Sequence, residues 1–299
     1  MGSPNHTPKR FKTILRLVAA VAFLSAWTLA LVGFGSACSK EAKTFVDQMS
    51  TVPDSTGHFA YWAIDDLNED EDLWGVYATF EESADAQQLK EFIPVLATVK
   101  QSAKAVSYDN TSLKNPVTVL HGDFDINNTE ARLETIGYSE TRYKDVGIWT
   151  LQDNQTIFKS VALRSTAILM GDDSDLRACI DVIVKNNTRS LNGDPYILLV
   201  ADKLPNGVIV EIDRADISHG EQYPDLVTYG KSYAKANKDM LKLTAVYMFS
   251  DGPAAGAAQQ QVKDYLAASY KEIKVRRDGN FVIATSQISI SEFAQSLGF

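Results

Sequence analysis

Leu17 to Phe34 carries no charge and almost nothing polar, and four cations, Lys9, Arg10, Lys12 and Arg16, precede it. A run that is apolar on every face does not make the surface helix of a soluble domain. It reads as an export signal or membrane anchor, which leaves roughly 260 residues to build the fold outside the cytoplasm. Two readings of this leader fit. In one, the small residues Gly35, Ser36 and Ala37 precede a lipid-bearing Cys38, as in a bacterial lipoprotein signal, with Gly35 departing from the Leu-like residue usual three places before the cysteine. In the other, Leu17 to Cys38 stays as a transmembrane helix, since at 1.5 Å per residue it spans a hydrocarbon core of about 30 Å. The upstream cations then hold the amino terminus inside. Either way residues 1–37 anchor the chain to the cell membrane, and 38–53 form a tether.

The leader holds no acid, so the exported part keeps 25 basic and 38 acidic residues, a formal net charge of −13. Phosphate backbones repel such a surface, which argues against nucleic acid as a partner. With 45% hydrophobic residues the chain can bury a sizeable core. Only Cys38 and Cys179 are present, so if Cys38 carries a lipid no disulfide is possible within the chain and the core stands without staples. Cys179 shares a helical stripe with Leu176, Ile180 and Ile183 and reads as a buried hydrophobe.

Periodicity suggests strands at Phe59–Ile64, Leu73–Phe80, Ala103–Tyr108, Val117–Phe124, Gly147–Leu151, Ile157–Leu163 and Thr166–Met170. Helices are expected at Ser83–Lys100, at Thr129–Ile136 and from Asp172 or Asp173 onward. The second half replays that order. Gly57–Asp65 parallels Asn206–Asp213, and Val117–Asp125 parallels Leu243–Asp251, each of the latter pair running into a helix. Leu226–Lys238 reads as helix, Ala254–Ala268 as helix, and Asp278-Gly279 as a hairpin turn before a last helix at Ser291–Leu297. The expected fold class is α+β: two diverged modules, 54–200 and 201–299, each an antiparallel-rich sheet with helices packed on one side.

Asp65 to Asp72 is an acidic loop in this reading. Within it Asp66, Asn68 and Asp70 alternate as oxygen ligands of a Ca²⁺ loop would. Glu71 and Tyr77 stand where an EF-hand needs glycine and a bidentate Glu, so only a looser Ca²⁺ site fits, and no other cofactor is expected. His121-Gly122-Asp123 with Asn128 resembles a kinase catalytic loop, but Asn127 onward starts a helix and no Gly-rich loop precedes it. Gly122 instead relieves crowding at a strand end, and Asn127 or Asn128 caps the helix. The four histidines show no zinc spacing, and no Gly-x-Ser-x-Gly or Walker motif occurs. The aromatics Tyr61, Trp74, Tyr77 and Trp149 are candidates to line a groove for a ligand or partner.

Leu120-His-Gly-Asp-Phe-Asp125, then Gly137-Tyr138 and Tyr143-Lys-Asp-Val-Gly-Ile-Trp149, is similar to uncharacterised prokaryotic exported lipoproteins over about residues 117–185. That resemblance implies location and architecture and no activity. The function that follows is a membrane-anchored extracytoplasmic module binding a small ligand or another envelope protein. An exported hydrolase whose carboxylates assemble only in the fold, and a structural accessory of the cell envelope, are the alternatives.

Overall fold

Among the described residues twelve strands, all paired antiparallel, hydrogen-bond into one sheet. The computed structural model describes residues 43–82, 84–93, 98–106, 115–152, 159–184, 189–215 and 223–297, all within one compact unit. The leader, Cys38, Ser83, Pro94 and Leu96 lie outside the described residues.

The chain runs α1 (Thr44–Gln48), β1 (His58–Trp62), α2 (Ile64–Glu69), α3 (Trp74–Glu82), α4 (Ala84–Phe92), β2 (Val99–Val106) and β3 (Val117–Gly122). It continues through α5 (Ile126–Thr135), β4 (Ser139–Tyr143), β5 (Val146–Thr150), β6 (Ser160–Arg164), β7 (Ala167–Gly171), α6 (Asp173–Ile183) and α7 (Pro195–Lys203). The remainder is β8 (Ile209–Arg214), β9 (Leu226–Asn237), β10 (Met240–Phe249), α8 (Gly252–Ala267), β11 (Lys271–Asp278), β12 (Phe281–Ser289) and α9 (Ile290–Ser296). In the sheet the order is β11-β12-β10-β9-β8-β1-β2-β3-β7-β6-β5-β4. The two halves of the chain thus supply adjacent blocks of one sheet, and β1 pairing with β8 is the seam.

Strand residues alternate between two cores. Phe59, Tyr61, Val119, Ile148, Leu169, Ile212 and Val246 point to a front face covered by α1, α6 and α7. Leu120, Trp149, Ile168, Ile209 and Tyr233 point to a back face covered by α2 to α5 and α9. Tyr229, Ala245, Tyr247 and Val282 share that back face under α8. Helices on one side only is therefore corrected: both faces are apolar at alternate positions, and each needs a cover.

Four further expectations change. Leu73–Phe80 is no strand but a turn leading into α3, because Leu73, Val76, Tyr77 and Phe80 are its buried residues. That i, i+3, i+4, i+7 spacing is helical, whatever the β propensity of Val, Tyr and Phe. Leu226–Lys238 is the long strand β9, bonded on both edges to β8 and β10, and it buries Thr228 and Ser232 forward and Tyr229 and Tyr233 back. The loop Asp65–Asp72 is mostly α2 followed by a 3₁₀ turn at Glu71–Leu73. The tether ends early: Phe45, Met49 and Val52 are fully buried against the front core. Burying Phe45 and Met49 contributes roughly 1.5–3 kcal/mol each, enough to hold a five-residue helix that would not persist alone.

Candidate functional site

The register across β9, β8, β1 and β2 sets side chains of the back face in three rows. The first is Tyr233, Ile209, Trp62 and Ser102; the second Lys231, Glu211, Ala60 and Lys104; the third Tyr229, Asp213 and His58. Alternation in β1 and β8 produces this. Phe59, Tyr61, Val210 and Ile212 fill the front core, which turns His58, Ala60, Trp62, Glu211 and Asp213 to the back.

Between α8 on one side and α2 to α5 with α9 on the other, these rows stay partly open. The His58 side chain is 27% exposed and that of Glu211 23%. Ala60, Trp62 and Lys104 are half-buried, although they sit on central strands of a twelve-stranded sheet. Ala60 is the low point. Its neighbours along β1 are His58 and Trp62, about 7 Å away, and across the sheet Glu211 and Lys104, about 5 Å away. A methyl group surrounded by four larger side chains makes a hollow with an aromatic wall, an imidazole wall, a carboxylate and an ammonium.

Its charges are organised in pairs. His58 Nδ1 lies 2.7 Å from Asp213 Oδ1, and Lys231 Nζ 2.7 Å from Glu211 Oε2. Burial works against a charged His58, but the Asp213 bond and the charges of Asp213 and Glu211 outweigh it and raise its pKa above the ordinary 6.5. The Lys231 pKa is likewise raised: desolvation opposes the ammonium, and Glu211 more than compensates. Desolvation lifts the Tyr233 hydroxyl far above the ordinary tyrosine value, and that hydroxyl bonds Tyr270 at 3.0 Å. With Asp213 accepting from Nδ1–H, the other ring edge of His58, Nε2, is left for a ligand.

The sequence-derived candidates scatter. Tyr61 is 3% exposed in the front core, 6.4 Å from the Phe45 ring, while Tyr77 (3%) and Trp149 (4%) are packed in the back core. They share no groove. Trp74 is 53% exposed at the start of α3, with its ring 5.3 Å from Tyr77. Of the calcium candidates, Asp66 and Asn68 are two residues apart on α2, so their side chains diverge by about 200°. Asp70 is bound by Lys235 at 2.6 Å. No group of three His, Cys, Asp or Glu that could hold a metal occurs among the described residues. Asp125, rather than Asn127 or Asn128, caps α5, accepting from the Asn128 N–H at 3.1 Å. Cys179 is fully buried on α6, and burial pushes its thiol pKa well up, as an inert core thiol requires.

A concavity of about 340 Å³ opens beside α7, walled by Tyr196, Leu226 and Val227. Its one charged lining group, Arg214, is already engaged, by Asp194 at 2.7 Å and by the Thr56 carbonyl at 3.1 Å. The hollow over Ala60 brings more ionisable groups together: His58, Lys104, Glu211 and Lys231. One signal for it was present in the sequence: polar residues at alternate positions, Glu211-Ile-Asp213 in β8 and His58 in β1, inside strands whose other face is apolar.

No helix among the described residues is long and apolar enough to cross a membrane. No protein-family model and no curated protein matches the chain. Among solved structures, the chain is similar to TP0453, seen in its crystal form IV, with a TM-score of 0.54 at 9% identity. The match covers 84% of this chain and 96% of that one. At that identity the likeness is one of fold: mixed helices on a large antiparallel sheet.

Proposed function

We propose that the chain is a membrane-tethered extracytoplasmic binding module whose ligand site is the hollow over Ala60. Its location rests on the leader and Cys38. The observation that carries the binding reading is the half-open patch of His58, Ala60, Trp62, Lys104 and Glu211 on strands that would otherwise be covered. A binding role is favoured over hydrolysis because the carboxylates there already answer cations of the same patch. The two halves also wind alike. β1-β2-β3 then α5, and β8-β9-β10 then α8, are each followed by strands that return to pair with the third, β7 on β3 and β12 on β10. This supports reading them as diverged copies.

The test is a saturation-transfer NMR screen of small polar molecules against the full chain and its Ala60→Phe variant. Phe fills the hollow and favours strand geometry, so the variant should keep or raise its melting temperature while losing the hits. Hits that all persist in Ala60→Phe would sink the assignment. Trp74 supports a second role, docking an envelope partner, since it is the exposed member of the four aromatics. Trp74→Ala should weaken that capture while changing stability by no more than about 0.5 kcal/mol, and undiminished capture by the folded variant would remove the role.

A further inference from the structure

We propose that two copies of the chain associate through strand β4, in an antiparallel β4–β4 pairing that continues the sheet of one copy into the other. The inference stands apart from the hollow over Ala60. Strand β4 ends the sheet order, and among the described residues no strand pairs with its outer edge. Four of its five residues are exposed. A sheet edge of this kind accepts a further strand unless charge, proline or a bulge blocks it.

The other end of the sheet is blocked in two of those ways. Strand β11 slips its register between Lys271 and Lys274 and holds Glu272 at a φ of 53°. It also carries four basic residues against two acidic ones, so a copy of itself meets like charge. Strand β4 pairs with β5 without a bulge, from Ser139↔Thr150 to Tyr143↔Val146. Its sequence, Ser-Glu-Thr-Arg-Tyr, sets opposite charges on either side of Thr141.

Backbone geometry then selects the register. Lys144 and Asp145, with φ of 50° and 63°, form a two-residue hairpin turn of the type that needs positive φ twice. Such a turn makes Tyr143 and Val146 a hydrogen-bonded pair, and alternation makes Thr141 with Ile148 the next one. The N–H and C=O groups of Glu140 and Arg142 therefore face the open edge. A two-fold pairing centred on Glu140 sets Glu140 opposite itself, and one centred on Arg142 does the same for Arg142. Centred on Thr141, it sets Glu140 opposite Arg142 twice. Cross-strand pairs of opposite charge stabilise a sheet and like pairs destabilise it, so the Thr141 register wins. Within each strand Arg142 Nε lies 3.3 Å from Glu140 Oε1, and the guanidinium has further N–H groups for the second copy's carboxylate. A five-residue edge makes a small interface, so the association is a weak one, suited to chains tethered on one membrane.

Disulfide trapping of the full chain in phosphatidylcholine vesicles tests this, in a Cys38→Ser background that leaves only the buried Cys179. On the axis, Thr141 meets its own copy as a non-hydrogen-bonded pair, about 4.5 Å between Cα atoms and within reach of a disulfide. Under mild oxidation Thr141→Cys should therefore give linked dimers roughly ten-fold faster, or more, than Lys274→Cys on β11. Adding Glu140→Arg or Arg142→Glu should cut that rate roughly ten-fold, because each sets like charges opposite. Mixing those two chains should restore it, as dimers holding one of each. Equal trapping of Thr141→Cys and Lys274→Cys, trapping that ignores the single charge changes, or no mixed dimer between two variants shown by circular dichroism to be folded overturns the proposal.

Discussion

Replacing Gly122 with alanine should destabilise the fold by about 3 kcal/mol and lower its melting temperature by roughly 6–12 °C. A Cβ at that position would lie 2.0 Å from the Thr98 carbonyl oxygen and 3.0 Å from its carbon. Both are backbone atoms, so no rotamer change relieves the contact. The Asp123 N–H bonds that same carbonyl at 3.2 Å, which draws the start of β2 against the end of β3. Pairing between the two strands already slips between Val99 and Gln101, so the adjustment available there is spent. The chain must either break the Asp123 bond or push β2 away, and β2 carries Lys104 at the rim of the hollow. Gly75 is the internal control. It sits exposed in α3 with nothing within 4 Å of a Cβ, and Gly75→Ala should stabilise by about 0.5–1 kcal/mol. Thermal melts of the two variants decide it. If Gly122→Ala melts within a degree or two of the native chain, the close approach is not a constraint.

Gly122 was legible in the sequence as a crowded strand end, and so were most strands, because short runs of β-forming and apolar residues such as Val117–Leu120 or Ala167–Met170 stand out without any partner in view. Sequence and structure part where two local signals disagree. In Leu73–Phe80 residue type suggested a strand while spacing described a helix, and burial against the back core decided for spacing. Leu226–Lys238 reads as a helix in isolation, but pairing with β8 on one edge and β10 on the other makes it a strand. Strand β4 escaped notice because four of its five residues are exposed and it carries no apolar alternation. Helix α7 escaped as well, though Asp194 caps it by accepting from the N–H groups of Tyr196 and Ile197. The hollow was illegible for a different reason. Ala60, Lys104 and Glu211 become neighbours only through the pairing of β2, β1 and β8, and no local pattern reports a register between strands some 150 residues apart.

The two described histidines should respond to pH in opposite directions. His121 faces the front core from β3, where burial lowers its pKa to about 4. Its neutral ring is favoured by folding, so as pH falls from 6.5 the unfolded chain takes up a proton that the folded chain refuses until about 4. Stability is lost across that window, by about 3 kcal/mol if the whole shift is expressed. His58 works the other way, since desolvation is outweighed by Asp213 and Glu211 while Lys231 opposes them, and its pKa is raised. Its contribution is fully present below 6.5, the unfolded value, and is lost as pH rises through the higher folded value. Urea unfolding from pH 8 to pH 4 should therefore show stability rising at first, then falling below about 6.5. His121→Asn should flatten the fall on the acid side, and His58→Gln should flatten the rise on the alkaline side. NMR titration separates the two sites: His58 should titrate above 6.5 in the native chain and below it in Asp213→Asn, where burial acts with its strongest opponent gone. An unchanged acid slope in folded His121→Asn, or a His58 midpoint that ignores Asp213→Asn, would mean that these rings do not feel the surroundings in which the fold places them. The Asp213 result bears directly on the hollow, because that carboxylate sets which edge of His58 a ligand would meet.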